Sequence, residues 1–197
     1  MIIKKAEFLR SIKTKDQHFN KVTPEIAFVG KSNAGKSSLI NYLTNNGKLA
    51  RVSKQPGKTR LINYFTINDS FYMVDLPGYG YAKASLEEQK SWDEMMYGYF
   101  DRSQDLLKCV FILIDIRRDI SEEDKAAVAL IESFAIPYCV IATKADKISK
   151  SERFNEMMRI RRNLPTSFSY NIIAVSSLEK IGKDDVLKEI ERLLQDK

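Results

Sequence analysis

The sequence predicts an α/β domain of three layers, a mostly parallel six-stranded sheet with helices on both faces. Three observations carry that expectation. Short apolar runs alternate with amphipathic ones along the chain, the rhythm of strand–helix–strand units with right-handed crossovers. Two of the runs, CVFILIDI (109–116) and YCVIATK (138–144), are continuously apolar, as parallel strands covered on both faces must be. A glycine-rich turn, GKSNAGKS (30–37), stands between an apolar run and a helical pattern.

The elements follow in order. EIAFVG (25–30) reads as a strand and KSSLINYLTN (36–45) as the helix directly after it. RLINYFTIN (60–68) alternates, so it reads as a half-exposed strand, while FYMVD (71–75) reads as a buried one. Ser85 and Glu88 have the spacing of a capping box before the stripe Trp92, Met95, Met96 and Tyr99. Ser121 and Asp124 repeat it before Val128, Ile131 and Phe134. YNIIAVSS (170–177) makes the sixth strand, and Val186, Leu187, Ile190, Leu193 and Leu194 form the stripe of a last helix. These stripes, Trp92 and the methionines included, read as core. With no repeat or linker, residues 1–197 read as one domain, 1–23 being an N-terminal extension packed on it or leading into it.

Composition narrows the function classes. A chain of 197 residues with 44% hydrophobic and 29% charged residues is ordinary for a globular protein. No apolar run approaches the roughly 20 residues of a membrane helix, and the start MIIKKAEFLR lacks the apolar core of a signal peptide. Cys109 and Cys139 lie inside apolar runs and read as reduced core residues of a cytoplasmic protein. His18 lies outside every motif and reads as a surface residue. The net charge of +6 is clustered: Lys48–Arg60 contains no acidic residue, and RFNEMMRIRRN carries four arginines with one glutamate. A polyanionic partner and simple solubility both remain open readings of that charge.

In such sheets, ligands sit at the carboxyl ends of the strands, and there the motifs fall. Gly30 to Ser37 fits G-x-x-x-x-G-K-[S/T]: the glycines let backbone N–H groups curl around phosphate, Lys36 reaches the β- and γ-phosphates, and the Ser37 hydroxyl binds Mg²⁺. Asp75, ending the next buried strand in DLPG, can hold magnesium through water, and the Gly78 N–H can meet the γ-phosphate. In TKAD (143–146) the base is chosen, because an ionised Asp146 only accepts and guanine offers N1–H beside its 2-amino group. Lys144 would lay its stem along the purine. A backbone N–H of SSLEK (176–180) is placed for guanine O6, and Thr59 for a second Mg²⁺ position.

These five pieces in this order are the signature of Ras-like P-loop GTPases. GKSNAGKSSLIN, SKQPGKTRLINYF, DLPGYGYAK, DIRRDIS and ATKADKIS together resemble the EngB (YihA-type) bacterial GTPases, relatives of Era, EngA and MnmE, from about Pro24 to the last helix. The resemblance implies a monomeric GTP-binding domain that hydrolyses GTP to GDP, acts in maturing the large ribosomal subunit or on its rRNA, and supports cell division and septation. By position it implies a nucleotide site of Gly30, Lys31, Ser32, Asn33, Ala34, Gly35, Lys36, Ser37 and Ser38; of Gly57, Lys58, Thr59, Arg60 and Leu61; of Asp75, Leu76, Pro77 and Gly78; of Thr143, Lys144, Ala145 and Asp146; and of Ser176, Ser177 and Leu178. Magnesium would fall to Ser37, Thr59 and, through water, Asp75. A first switch would span Gly47 to Arg60 and a second would begin at Asp75.

Two departures bear on chemistry. Thr143 stands where the common base motif has Asn; its hydroxyl can still hydrogen-bond the phosphate loop, so a preference for GTP is expected to survive. Tyr79 stands where Ras has a water-orienting glutamine, and no arginine sits at a finger position, so slow intrinsic turnover awaiting a partner is expected, with Lys36, Thr59 and Gly78 as the catalytic groups. In the related MnmE-type enzymes an asparagine at the position of Asn33 helps bind K⁺; Asn33 is thus a candidate K⁺ ligand, or a residue that merely stabilises its turn. Lys54, Lys58 and the pair Arg117–Arg118 are candidate RNA-phosphate contacts. A division regulator acting through a protein partner is the competing function, and a small-molecule P-loop kinase is disfavoured by the guanine-reading motif.

Overall fold

The run Glu25–Gly30 is buried at every position because sheet neighbours flank it on both edges and helices cover both faces. It is β2 of a computed structural model that describes residues 1–13, 22–51, 61–80, 86–103, 105–164, 166 and 169–195. Among the described residues the other strands are β1 (Ala6–Ile12), β3 (Ile62–Ile67), β4 (Phe71–Asp75), β5 (Leu107–Asp115), β6 (Tyr138–Thr143) and β7 (Ile172–Ala174). The α-helices are α1 (Lys36–Thr44), α2 (Leu86–Ser103), α3 (Glu122–Ser133), α4 (Lys150–Asn163) and α5 (Lys183–Gln195). The sheet order is β1-β3-β4-β2-β5-β6-β7; β1 with β3 and β3 with β4 are antiparallel, and the other pairs are parallel.

Alternation along β2 splits the core into two halves. Ala27 and Val29 face Met96, Tyr99 and Phe100 of α2, Val128 and Ile131 of α3 and Ile160 of α4. Ile26 and Phe28 face Leu39, Ile40 and Leu43 of α1 and Val186, Leu187 and Ile190 of α5. Phe28 and Phe111 pack with ring centroids 5.3 Å apart in that second half; burying each ring contributes about 1.5–3 kcal/mol. Cys109 and Cys139 are buried there too, and burial pushes both thiols well above their usual range, so they stay protonated.

Among the described residues the sheet has seven strands where the sequence implied six. Residues 6–12 of the expected extension pair antiparallel with β3, Ile12 opposite Ile62, with a bulge between Phe8 and Arg10. Asn68 fastens the segment by accepting from the Lys4 and Lys5 N–H groups at 2.8 and 3.1 Å. Helix α4 is the second addition; it buries only Ile160, so its apolar stripe is faint. The Ser121–Asp124 capping box forms as expected, while Ser85 of the earlier one lies outside the described residues. No helix among the described residues is long and apolar enough to cross a membrane.

Candidate active site at the carboxyl ends of the strands

Gly30 ends β2 where no side chain fits: a Cβ there would lie 2.9 Å from both Cβ and the carbonyl oxygen of Leu113. The chain then turns, with Asn33 at φ 66° and Gly35 at φ 95°, and enters α1. Gly35 caps that helix without a side-chain hydrogen bond, and its first turn holds no carboxylate. By contrast, α3 and α4 each close their N-termini with a serine and an acidic residue. The first N–H groups of α1 are thereby left for an anion, backed by the helix dipole.

The DLPG segment lies directly against this loop. A Cβ on Gly78 would meet the Gly30 carbonyl oxygen at 2.9 Å and the Ser32 nitrogen at 3.4 Å, so only glycine permits the approach. Ser32 N–H donates to the Tyr79 carbonyl at 3.2 Å and Tyr79 N–H to the Gly30 carbonyl at 3.3 Å, a two-bond backbone clasp. Beside it the Lys36 ammonium pairs with the Asp75 carboxylate; their side chains are only 11% and 5% exposed. Leu76 is buried, and the Pro77 carbonyl accepts from Trp92 Nε1 at 3.0 Å.

Tyr79 turns inward. Its hydroxyl donates to Asp124 Oδ1 at 2.9 Å and its ring meets Trp92 edge-on at 5.8 Å. Burial, reinforced by Asp124, pushes the phenol well above its usual range, so it is a neutral donor held by α3. Lys31 reaches Glu123 at 3.2 Å. The Glu123 carboxyl is lowered to about 2, first by the Ser121 hydroxyl, then by backbone N–H and Lys31.

The base-reading residues gather at the ends of β5, β6 and β7. Asp146 accepts from the Ser176 hydroxyl at 2.7 Å and pairs with Lys147 at 3.0 Å. The Ser176 hydroxyl is the chief reason its carboxyl is held below the usual range, leaving an ionised acceptor. The Ala145 N–H donates to the Val175 carbonyl at 3.1 Å, joining the two loops. One expectation needs correction. The Thr143 hydroxyl donates to the Ile114 carbonyl at 3.2 Å, the neighbour at the end of β5, and not to the phosphate loop. The Ser176 N–H is engaged by the Ile181 carbonyl at 3.1 Å and the Glu179 N–H by the Ser176 hydroxyl at 3.0 Å, which narrows the N–H groups of 176–180 that could meet O6.

Asp115 was not among the expected site residues. Buried at the end of β5, it accepts from Lys144 Nζ at 3.0 Å, from Arg117 Nε at 2.9 Å and from Arg117 Nη2 at 2.8 Å. Burial pushes its carboxyl up, but the hydrogen bonds from Arg117 and Lys144 outweigh this and hold it well below the usual range. Its signal was in DIRR, an acid ending a strand with arginines following. Gly57, Lys58, Thr59 and Arg60 lie outside the described residues; Leu61 is half-buried just before β3. The start of that loop is held by Asn41, which accepts from the Ala50 N–H at 2.7 Å and donates to the Gly47 and Ala50 carbonyls.

The sequence pattern of the family described as "50S ribosome-binding GTPase" matches residues 25–144. The probable GTP-binding protein EngB of Citrifermentans bemidjiense is 44% identical over 195 residues, covering 98% of this chain and 90% of that protein. Its counterpart in Clostridium kluyveri is 45% identical over 194 residues, covering 98% of both. The chain belongs to the EngB family of GTP-binding proteins. It is a GTPase, in a family that works with Mg²⁺. The fold agrees: a crystal structure of a probable GTP-binding protein EngB superposes with TM-score 0.68 at 23% identity, over 88% of this chain and all of that one. A tyrosine-to-alanine variant of Era from Aquifex aeolicus, bound to GDP·AlF4⁻, superposes with TM-score 0.69 at 23% identity, over 89% of this chain and 58% of that one.

Proposed function

We propose that the chain is a GTP-driven switch in assembly of the large ribosomal subunit, and that normal cell division depends on it through that role. The observation that carries this reading is the backbone clasp between Gly30–Ser32 and Gly78–Tyr79 beside the Lys36–Asp75 pair. In this reading the triphosphate draws Lys36 off Asp75, the first N–H groups of α1 take the phosphate oxygens, and the Gly78 N–H meets the γ-phosphate. Opening or keeping the clasp then distinguishes GDP from GTP.

The donor set suits magnesium. Among the described residues no cluster of three His, Cys, Asp or Glu side chains exists to cage a metal, whereas a serine hydroxyl and one carboxylate match an ion that keeps waters and phosphate oxygens. Ser37, Thr59 and, through water, Asp75 would hold it. Bound there, Mg²⁺ would neutralise charge on the β- and γ-phosphates. Asp146 accepts from guanine N1–H and the 2-amino group, the Ser177 N–H serves O6, and the Lys144 stem covers the purine. The inward Tyr79 leaves the attacking water unoriented, which supports slow turnover until a partner binds. Asn33 remains a candidate K⁺ ligand; equal turnover in K⁺ and Na⁺ at fixed ionic strength would remove that role.

The ribosomal reading draws on the family description, on the acid-free run Lys48–Arg60 and on Arg118, whose side chain is 72% exposed. Co-sedimentation with purified large subunits tests it, comparing a non-hydrolysable GTP analogue with GDP across a salt series. Much tighter retention with the analogue than with GDP, weakening steeply as salt rises, is expected. No binding in either state would overturn it and leave the protein-partner reading of septation.

A further inference from the structure

We propose that the outer face of α4 is an RNA-binding surface that reads an unstacked base together with its flanking phosphates, in both nucleotide states. As to which RNA is met, this rests on the ribosomal role proposed above. Helix α4, KSERFNEMMRIRRN, carries five basic side chains against two carboxylates. Both carboxylates are spent locally: Glu152 closes the capping box with Ser149, and Glu156 accepts from Arg159 Nε at 2.6 Å. Phe154 nonetheless stands 66% exposed on this polar helix, where it adds little to the core.

Its surroundings explain the choice of an anionic partner. Exposed Lys150 lies one turn before Phe154, and Arg161 and exposed Arg162 lie two turns after it, a single stripe at the helical period. Arg161 is braced at the surface, donating to the Tyr170 carbonyl at 3.1 Å with its guanidinium 5.3 Å from that ring's centroid. One aromatic among cations is too small an apolar patch for a protein groove. It matches RNA recognition, in which a splayed base stacks on an aromatic ring while cations take the phosphates.

The surface is anchored to parts of the molecule that meet the base. Arg153 Nε donates to the Ala145 carbonyl at 3.0 Å, and Arg159 Nη2 to the Ile116 and Arg118 carbonyls at 3.2 and 3.1 Å. GDP and GTP share that base, so α4 holds one position in both states. A switch at residues 75–80 and an unswitched face at α4 therefore contact RNA under different rules.

Fluorescence anisotropy with a labelled single-stranded RNA oligonucleotide, and with the blunt duplex of the same sequence, tests this in GDP and in a GTP analogue. Phe154→Ala is expected to weaken single-strand binding about ten-fold without changing the salt slope, and Phe154→Trp to restore it. Lys150→Ala with Arg162→Ala is expected to flatten the slope by about 0.7 per charge removed, equally in both states and with turnover unaltered. Wild-type protein that ignores the single strand, or variants that bind it as wild type does, would overturn the inference. If large subunits are still retained in the GTP state, the ribosomal role stands and only the α4 assignment falls. Single-strand binding without subunit retention in either state would do the reverse.

Discussion

The two ends of the nucleotide site are built from different materials. The phosphate end is made of backbone: Gly30 and Gly78 pressed against carbonyls, Gly35 at φ 95°, an α1 N-terminus without a side-chain cap. The base end is made of side chains holding side chains: Ser176 on Asp146, Asp115 on Lys144, Arg117 on Asp115. Phosphate is common to every nucleotide and offers only negative charge, which N–H groups can meet without choosing. A purine must be told from its rivals, and that requires donors and acceptors fixed in place. So the phosphate end fails by steric intrusion, and the base end by loss of a charge or a proton.

Four substitutions sharpen the contrast. Asp146→Asn strikes the base end hardest: GTP affinity measured by calorimetry should fall roughly 10⁴-fold, while xanthosine triphosphate, with a carbonyl where guanine has its amino group, gains. Retained GTP preference would break the comparison. Gly78→Ala places a Cβ 2.9 Å from the Gly30 oxygen and should slow phosphate release about a hundred-fold. GDP, which lacks the γ-phosphate, should bind it nearly as before; equal loss of both would mean that the clasp is only scaffolding.

Asp115→Asn should speed GDP release about ten-fold in a stopped-flow chase, and the effect should vanish in a Lys144→Met background, since Asp115 acts through that ammonium. Because the folded protein depresses the Asp115 carboxyl, its contribution is in place above about pH 4 and is lost only as pH falls further. Wild-type GDP release should accordingly stay flat from about pH 5 to 8. The smallest effect belongs to Tyr79→Phe. It removes one buried hydrogen bond, lowering stability by about 1 kcal/mol in urea melts, with turnover unchanged if the phenol stays out of the chemistry.

The same contrast explains what was legible. Backbone demands dictate residue type, so the glycines, Lys36 and Ser37 announce themselves at fixed spacing, as do the Asp75–Gly78 and Thr143–Asp146 segments. The side-chain relays do not: whether Thr143 reaches the phosphate loop or Ile114 depends on how strand ends lie across the sheet, which no spacing records. Strand β1 is hard to read because an edge strand has one unpaired side and here buries only Ile12 well, leaving Phe8 and Leu9 outside. Helix α4 is obscured by its single buried residue, although Ser149 and Glu152 spell the same start signal as Ser121 and Asp124.

The Asp124 carboxylate serves two masters. Its Oδ2 accepts from the Ser121 N–H and hydroxyl, closing the first turn of α3, and its Oδ1 accepts from Tyr79. Separating Tyr79 from the α3 terminus would cost that buried hydrogen bond, about 1 kcal/mol. Glu123, one residue earlier, grips Lys31 of the phosphate loop. The first turn of α3 thus holds one contact to each of the two loops at the phosphate end, so any displacement of that turn would loosen both contacts together.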